Sequence, residues 1–138
     1  MRAAALTVAF ALGGCLAASG PTGGECNRDK DCGGGEVCAR DGMCALSSQV
    51  RAVVTTWTIR GLPATDATCA SHPDLYIKFV GPDFNDAFGY APVPCNLGQF
   101  TMDKLPDRYD EVELGVDNGV SSSERITAQN SAAINLVF

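Results

Sequence analysis

Positive charge is scarce in this chain: ten Lys and Arg stand against sixteen Asp and Glu, a net of −6. Without a run of Lys and Arg there is no basic face to neutralise phosphates, so nucleic-acid binding is not expected. Histidine is nearly absent. The single one, His72, stands between Ser71 and Pro73 in a turn-like stretch and reads as a solvated loop residue. No G-x-S-x-G, H-E-x-x-H or glycine-rich phosphate loop occurs, so acyl transfer, zinc hydrolysis and nucleotide binding lack their usual residues. Carboxylates are left as acid/base candidates, Glu111 with Glu113 and Asp107 with Asp110. Glu111 and Glu113 alternate with apolar residues, which on a strand aims them at water. No enzyme activity, cofactor or metal centre is expected on these grounds.

Long hydrophobic runs are also missing. The apolar stretch at 3–12, AAALTVAFAL, has ten residues. As a helix it would span roughly 15 Å, half a bilayer core, which is too short to cross a membrane. Preceded by Arg2, it has the size of a secretory signal's hydrophobic region. Leu12-Gly13-Gly14-Cys15 follows. This box resembles the cleavage site of bacterial lipoproteins, where small residues fit an extended backbone into the peptidase and the cysteine thiol takes a diacylglycerol. The resemblance implies a lipoprotein signal peptide at 1–14 and a Cys15 bearing two or three acyl chains of the palmitate kind, a durable anchor. Leu16, where aspartate would signal inner-membrane retention, implies an outer-membrane location. Residues 15–25 then form the lipidated N-terminus and a flexible tether, being small, Gly/Pro/Ser-rich and without apolar periodicity.

Seven cysteines in 138 residues indicate an oxidising compartment or a metal, and the odd count leaves one for another role. With Cys15 acylated, the rest can pair. Cys26, Cys32, Cys38 and Cys44 are separated by five residues each within a module at 26–45. Its few apolar side chains cannot build a core, so covalent staples must hold it. Zinc thiolates usually arrive in close C-x2–4-C pairs, and the wider spacing here favours two disulfides over a zinc site. Spacing leaves all three connectivities open; the interleaved Cys26–Cys38 with Cys32–Cys44 is preferred because it cross-braces the segment. Asp29, Asp31 and Asp41 read as solvated formers of Asx turns, with calcium ligation the alternative. Asp29 and Asp31 ahead of Cys32, Gly33-Gly34-Gly35 after it and Gly42 before Cys44 make a pattern that resembles small cysteine-rich predicted lipoproteins of myxobacterial type. It is also similar to the N-terminal cysteine motif of Dickkopf proteins.

From 50 to 138 the hydrophobic period is two. Val53, Thr55, Trp57 and Ile59 form one inward set; Leu75, Ile77 and Phe79 another; then Phe100 with Met102, Val112 with Leu114 and Val116, and Ile134 with Leu136 and Phe138. Two weaker strands are 90–95, which Pro92 and Pro94 confine to a sheet edge, and 123–128. No window has a helical period. One inward face per strand with no helix to cover it predicts an antiparallel β-sandwich of six or seven strands, with a small barrel as the alternative. Cys69 and Cys95 are the remaining pair for a disulfide. The run Gly98-Gln99-Phe100, Leu105-Pro106-Asp107-Arg108-Tyr109, Val112-Glu113-Leu114 resembles prealbumin-like sandwich domains. That implies a spacer or binding module without catalytic residues of its own. Arg108 stands where that family has glycine, and Tyr109 is out of phase with Val112 and Leu114 unless a bulge intervenes.

The candidate ligand-contact segment is the loop 81–89, GPDFNDAFG, with Asp83, Phe84, Asn85, Asp86 and Phe88. Loop aromatics either fold back on the core or meet a protein or glycan partner. A calcium loop is the third reading, although the twelfth position counted from Asp83 is Pro94, which breaks the EF-hand spacing. Together these features lead us to expect a secreted, lipid-anchored cell-envelope protein, periplasmic or surface-exposed, that binds or builds without catalysis. Its partners would be the membrane, through the acyl anchor, and an envelope protein or glycan. The alternatives are an accessory subunit of an envelope complex and a metal-dependent binder or enzyme using the carboxylate loops.

Overall fold

The computed structural model describes residues 24–83 and 85–138. The leader at 1–14, Cys15, the first part of the tether and Phe84 lie outside the described residues. The strands are β1 (Glu36–Cys38), β2 (Cys44–Leu46), β3 (Val50–Ile59), β4 (Leu62–Pro63), β5 (Asp74–Val80), β6 (Ala87–Pro94), β7 (Gln99–Pro106), β8 (Glu111–Gly115), β9 (Ser121–Arg125) and β10 (Ser131–Leu136). β1 and β2 make the hairpin of the cysteine module. The rest form two four-stranded sheets. One is built on β3, which pairs with β10, β4 and β7; the other has the order β6-β5-β8-β9.

Each sheet buries most of the residue set that its period-two pattern marks, with Phe100 and Phe138 only partly buried. Val53, Thr55, Trp57 and Ile59 of β3 are buried, as are Leu75, Ile77 and Phe79 of β5 and Val112 and Leu114 of β8. Met102 and Leu105 of β7 and Ala132, Ile134 and Leu136 of β10 complete a single core shared by both sheets. The two sheets have no helix to cover them, so each covers the other. Pairing is antiparallel except between β3 and β10, which run parallel. β9 closes one sheet, and the chain then crosses to the other, where it arrives beside β3 already pointing the same way. The two-residue β4, reached through Arg60 and Gly61 at positive φ, brings the sandwich to eight strands, one more than the sequence pattern marks. β6 is an edge strand, and its two prolines fall where a central strand would have lost ladder bonds. At Gly89 of β6 a Cβ atom would sit 2.3 Å from the Ile77 carbonyl oxygen of the neighbouring strand, so only glycine permits this approach.

Cys69 and Cys95 are bridged, 26 residues apart in sequence, and both are buried in the core. The bridge ties the β4–β5 connection to the turn after β6. Trp57 Nε1–H donates to the Cys95 carbonyl at 2.8 Å, and Cys95 N–H donates to the Pro73 carbonyl at 2.8 Å. The indole thereby satisfies its one polar atom while filling the core, as a buried tryptophan must.

Tyr109 is out of phase with Val112 for a reason other than a bulge. It precedes β8, in a turn where its N–H donates to the Pro106 carbonyl at 3.1 Å. A bulge does occur one strand earlier. Arg51 faces Leu105 and Val53 faces Met102, so Asp103 and Lys104 of β7 together oppose Ala52. Lys104 sits there at φ 49°, a left-handed conformation that favours glycine. Holding a lysine in it costs about 1–2 kcal/mol. We therefore expect Lys104→Gly to be more stable than Lys104→Ala by about 1 kcal/mol in urea unfolding, since both lose the same side-chain contacts and differ only in backbone cost. Equal stabilities would show that the bulge is not strained.

Candidate functional site

The module is held by two interleaved disulfides, Cys26–Cys38 and Cys32–Cys44, each with partners 12 residues apart. Sγ atoms of Cys26, Cys32 and Cys44 lie within 4.8 Å of one another, but each is already bonded to another sulfur, which leaves no thiolate to ligate a metal. Asp31 accepts the Asn27 and Arg28 backbone N–H groups at 3.1 and 3.0 Å, a local turn of the expected kind.

Asp41 is withdrawn from water, which corrects its solvated reading, and Asp29 stays exposed but is paired as well as turn-forming. Asp29 accepts the Cys38 N–H at 3.0 Å and receives Lys104 Nζ on both oxygens at 2.7 Å. The Lys104 hydrogen bond, aided by the Cys38 N–H, holds its carboxyl below the usual range. Beside it, Arg40 grips Asp103 with Nε and Nη2 at 2.6 and 2.8 Å, and the Arg40 N–H donates to the Lys104 carbonyl at 3.2 Å. The strained bulge of β7 thus supplies one charge of each sign to the module, and the module answers both. Without the left-handed turn, successive strand residues would point to opposite faces and could not both reach it.

A second junction centres on Arg108. Its Nε–H donates to Asp86 Oδ2 at 2.9 Å, and its Nη2 reaches both Asp41 Oδ2 and the Tyr109 hydroxyl oxygen, the latter at 2.9 Å. Tyr109 O–H donates in turn to Asp86 Oδ1 at 2.7 Å, and the guanidinium carbon lies 4.5 Å from the Tyr109 ring centroid. The Asp41 side chain is only 5% exposed, so its pairing with Arg108 takes place largely out of water. Burial, then the Asp86 hydrogen bond, push the Tyr109 phenol well above its ordinary value. Burial also acts to raise Asp86, but the hydrogen bonds from Tyr109 and Arg108 prevail and its carboxyl ends below the usual range. One arginine therefore clasps the module, through Asp41, to the β5–β6 loop, through Asp86.

The clasp changes the reading of the segment 81–89. Asp86 is committed inward and also closes the loop, its carbonyl accepting the Gly81 N–H at 2.7 Å. Phe88 lies on β6 rather than in the loop and packs on the core, stacked on Phe79 at 5.6 Å and edge-on to Tyr109 at 5.0 Å. Asp83 and Asn85 are exposed. Among the described candidates, Asp86 and Phe88 are held by Arg108, Tyr109 and Phe79 while Asp83 and Asn85 are exposed, so the visible task of this segment is anchoring Arg108 and Tyr109.

His72 is half-buried, with its ring edge-on to Phe138 at 4.5 Å, so it is packed rather than solvated. It borders a cleft of about 530 Å³ shared with Asp74 and Asp117. Among the described residues no side-chain hydrogen bond links its imidazole to a hydroxyl or carboxylate, as a catalytic base would need. Three of the four candidate carboxylates are engaged by other side chains. Glu113 accepts from the Tyr76 hydroxyl at 2.5 Å, Asp107 faces Arg51 at 3.7 Å, and Asp110 faces Arg125 at 3.7 Å. Among the described residues no helix is long and apolar enough to cross a membrane.

A groove of about 450 Å³ runs along the seam between module and sandwich, lined by Arg28, Asp29, Arg40, Tyr90 and Lys104 among others. Of these five only Asp29 belongs to a pattern read from the sequence; Arg28, Arg40, Tyr90 and Lys104 carry none. They come together only because the module folds back onto β6 and β7. No known protein family matches the chain, and no curated protein or solved structure matches it.

Proposed function

We propose that this is an exported, lipid-anchored cell-envelope protein acting as a non-catalytic binding or structural module. The carrying observation is that all six cysteines of the described residues are joined in three disulfides. Such bonding persists in oxidising compartments and not in a reducing cytosol. The seventh cysteine, Cys15, lies in the Leu12-Gly13-Gly14-Cys15 box behind a ten-residue apolar stretch. Acylation there would account for the odd count and place the protein on the outer membrane by way of Leu16. The non-catalytic reading is supported by the structural contacts that engage Glu113, Asp107 and Asp110. A module clasped to a sandwich presents a rigid surface at the end of a tether, suited to holding a partner near the membrane.

Intact mass of the membrane-extracted full chain, alkylated with and without reductant, tests this reading. The expected species begins at Cys15, carries acyl chains, adds no alkyl group before reduction and adds six after it. A species that retains Met1, or that alkylates without reductant, overturns the proposal.

A further inference from the structure

We propose that the seam groove is a binding site for an acidic saccharide of the uronic-acid kind. The inference rests on the binding-module reading above and names its ligand class. The charge distribution is the first observation. In a chain of net −6, three of the ten Lys and Arg line this one groove: Arg28, Arg40 and Lys104. The single carboxylate among the lining residues, Asp29, is occupied by Lys104 on both oxygens. Arg40 spends Nε and Nη2 on Asp103, which holds the guanidinium in place and leaves its Nη1 for a ligand. Arg28 has no ion-pair partner among the described residues. Arg28 offers a guanidinium fork for a planar carboxylate, and Arg40, already oriented by Asp103, adds a single Nη1 donor beside it.

The second observation is Tyr90. It is 40% exposed, yet its ring is propped from within by Phe100 at 5.8 Å and by the edge of Phe88 at 6.2 Å. A part-exposed aromatic ring braced by two half-buried rings and set in polar walls is a platform for the C–H face of a sugar ring, whose hydroxyls then point to the polar rim. The third is rigidity. One wall holds the Cys26–Cys38 bridge and the other the β7 bulge, so little ordering is left to oppose binding. A volume of about 450 Å³ falls within the range of small-ligand sites. A bare inorganic anion would leave Tyr90 unused. A neutral sugar would leave Arg28 unused.

Titration of the full chain with trigalacturonate, followed by calorimetry, tests the assignment, with maltotriose and inorganic phosphate as comparisons. Trigalacturonate is expected to bind saturably and to weaken as NaCl is raised, while maltotriose binds at least tenfold more weakly. Arg28→Gln should weaken trigalacturonate about tenfold, the loss of a charged hydrogen-bonding partner. Tyr90→Ala should weaken it several-fold and Tyr90→Phe should restore it, with melting temperatures confirming that each variant is folded. Absence of trigalacturonate binding overturns the proposal, as does maltotriose binding equally well. Phosphate binding as tightly as trigalacturonate, with Tyr90→Ala indifferent, overturns the saccharide assignment too. An acylated Cys15 species that fails to bind leaves the anchoring reading intact, so the two can fail separately.

Discussion

A Cys69→Ala, Cys95→Ala chain is expected to lose about 3–4 kcal/mol of unfolding free energy at neutral pH, the largest single effect we predict. The two cysteines are 26 residues apart, so opening the bridge releases a long loop in the unfolded chain. Cys69 and Cys95 are also 2% and 0% exposed, so two sulfurs leave the core and a small void takes their place. A small domain is stable by about 5–15 kcal/mol in all, which makes this bridge a large share of it. Trp57 Nε1–H binds the backbone carbonyl of Cys95 and not the sulfur, so the variant keeps that hydrogen bond. Urea denaturation followed by Trp57 fluorescence reads the change directly. A loss under about 1 kcal/mol would mean that the unfolded chain already holds these segments together.

Arg108→Ala is expected to cost about 2–3 kcal/mol, more than an ordinary surface ion pair. The arginine itself is 43% exposed, which moderates the effect, but the Asp41 side chain left behind is only 5% exposed and cannot recruit water freely. Arg108→Lys should recover only part of the loss, because one ammonium cannot serve Asp86, Asp41 and the Tyr109 hydroxyl in their fixed directions. The pH dependence follows from the same geometry. Asp86, Asp29 and Asp103 all have folded-state pKa values below their ordinary ones. Their stabilisation is present above the unfolded value of about 4 and is lost as pH falls through the folded values. The melting temperature should therefore drop below about pH 4, and the drop should be shallower in Arg108→Ala, where Asp86 no longer has the guanidinium that lowers it. Parallel acid limbs for the two proteins would show that the clasp contributes nothing to the acid transition.

Much of the sandwich is legible in the chain because a strand's period of two writes the core directly into the order of residues. Thr55 shows how strong that signal is: a hydroxyl-bearing residue, it is fully buried because it stands in phase with Val53 and Trp57. The interleaved disulfides are legible in part, since five-residue spacing allows three pairings and only the preference for cross-bracing selects one. The junction between module and sandwich is not legible. Arg108 looks like a departure from a family pattern, and Lys104 looks like one more residue of a strand. The roles of both depend on partners 67 and 75 residues away.

The order of amino acids by itself determined which residues enter the core, where the chain must turn, and that sulfur must hold the first module, because these follow from local periodicity and from how much apolar surface a segment owns. Tertiary structure alone decided that a chain with a negative net charge gathers Arg28, Arg40 and Lys104 around one groove, and that Asp41 and Asp86 meet over a single arginine. Charge has no period along the sequence. Its meaning is set by distance in space, and folding creates those distances.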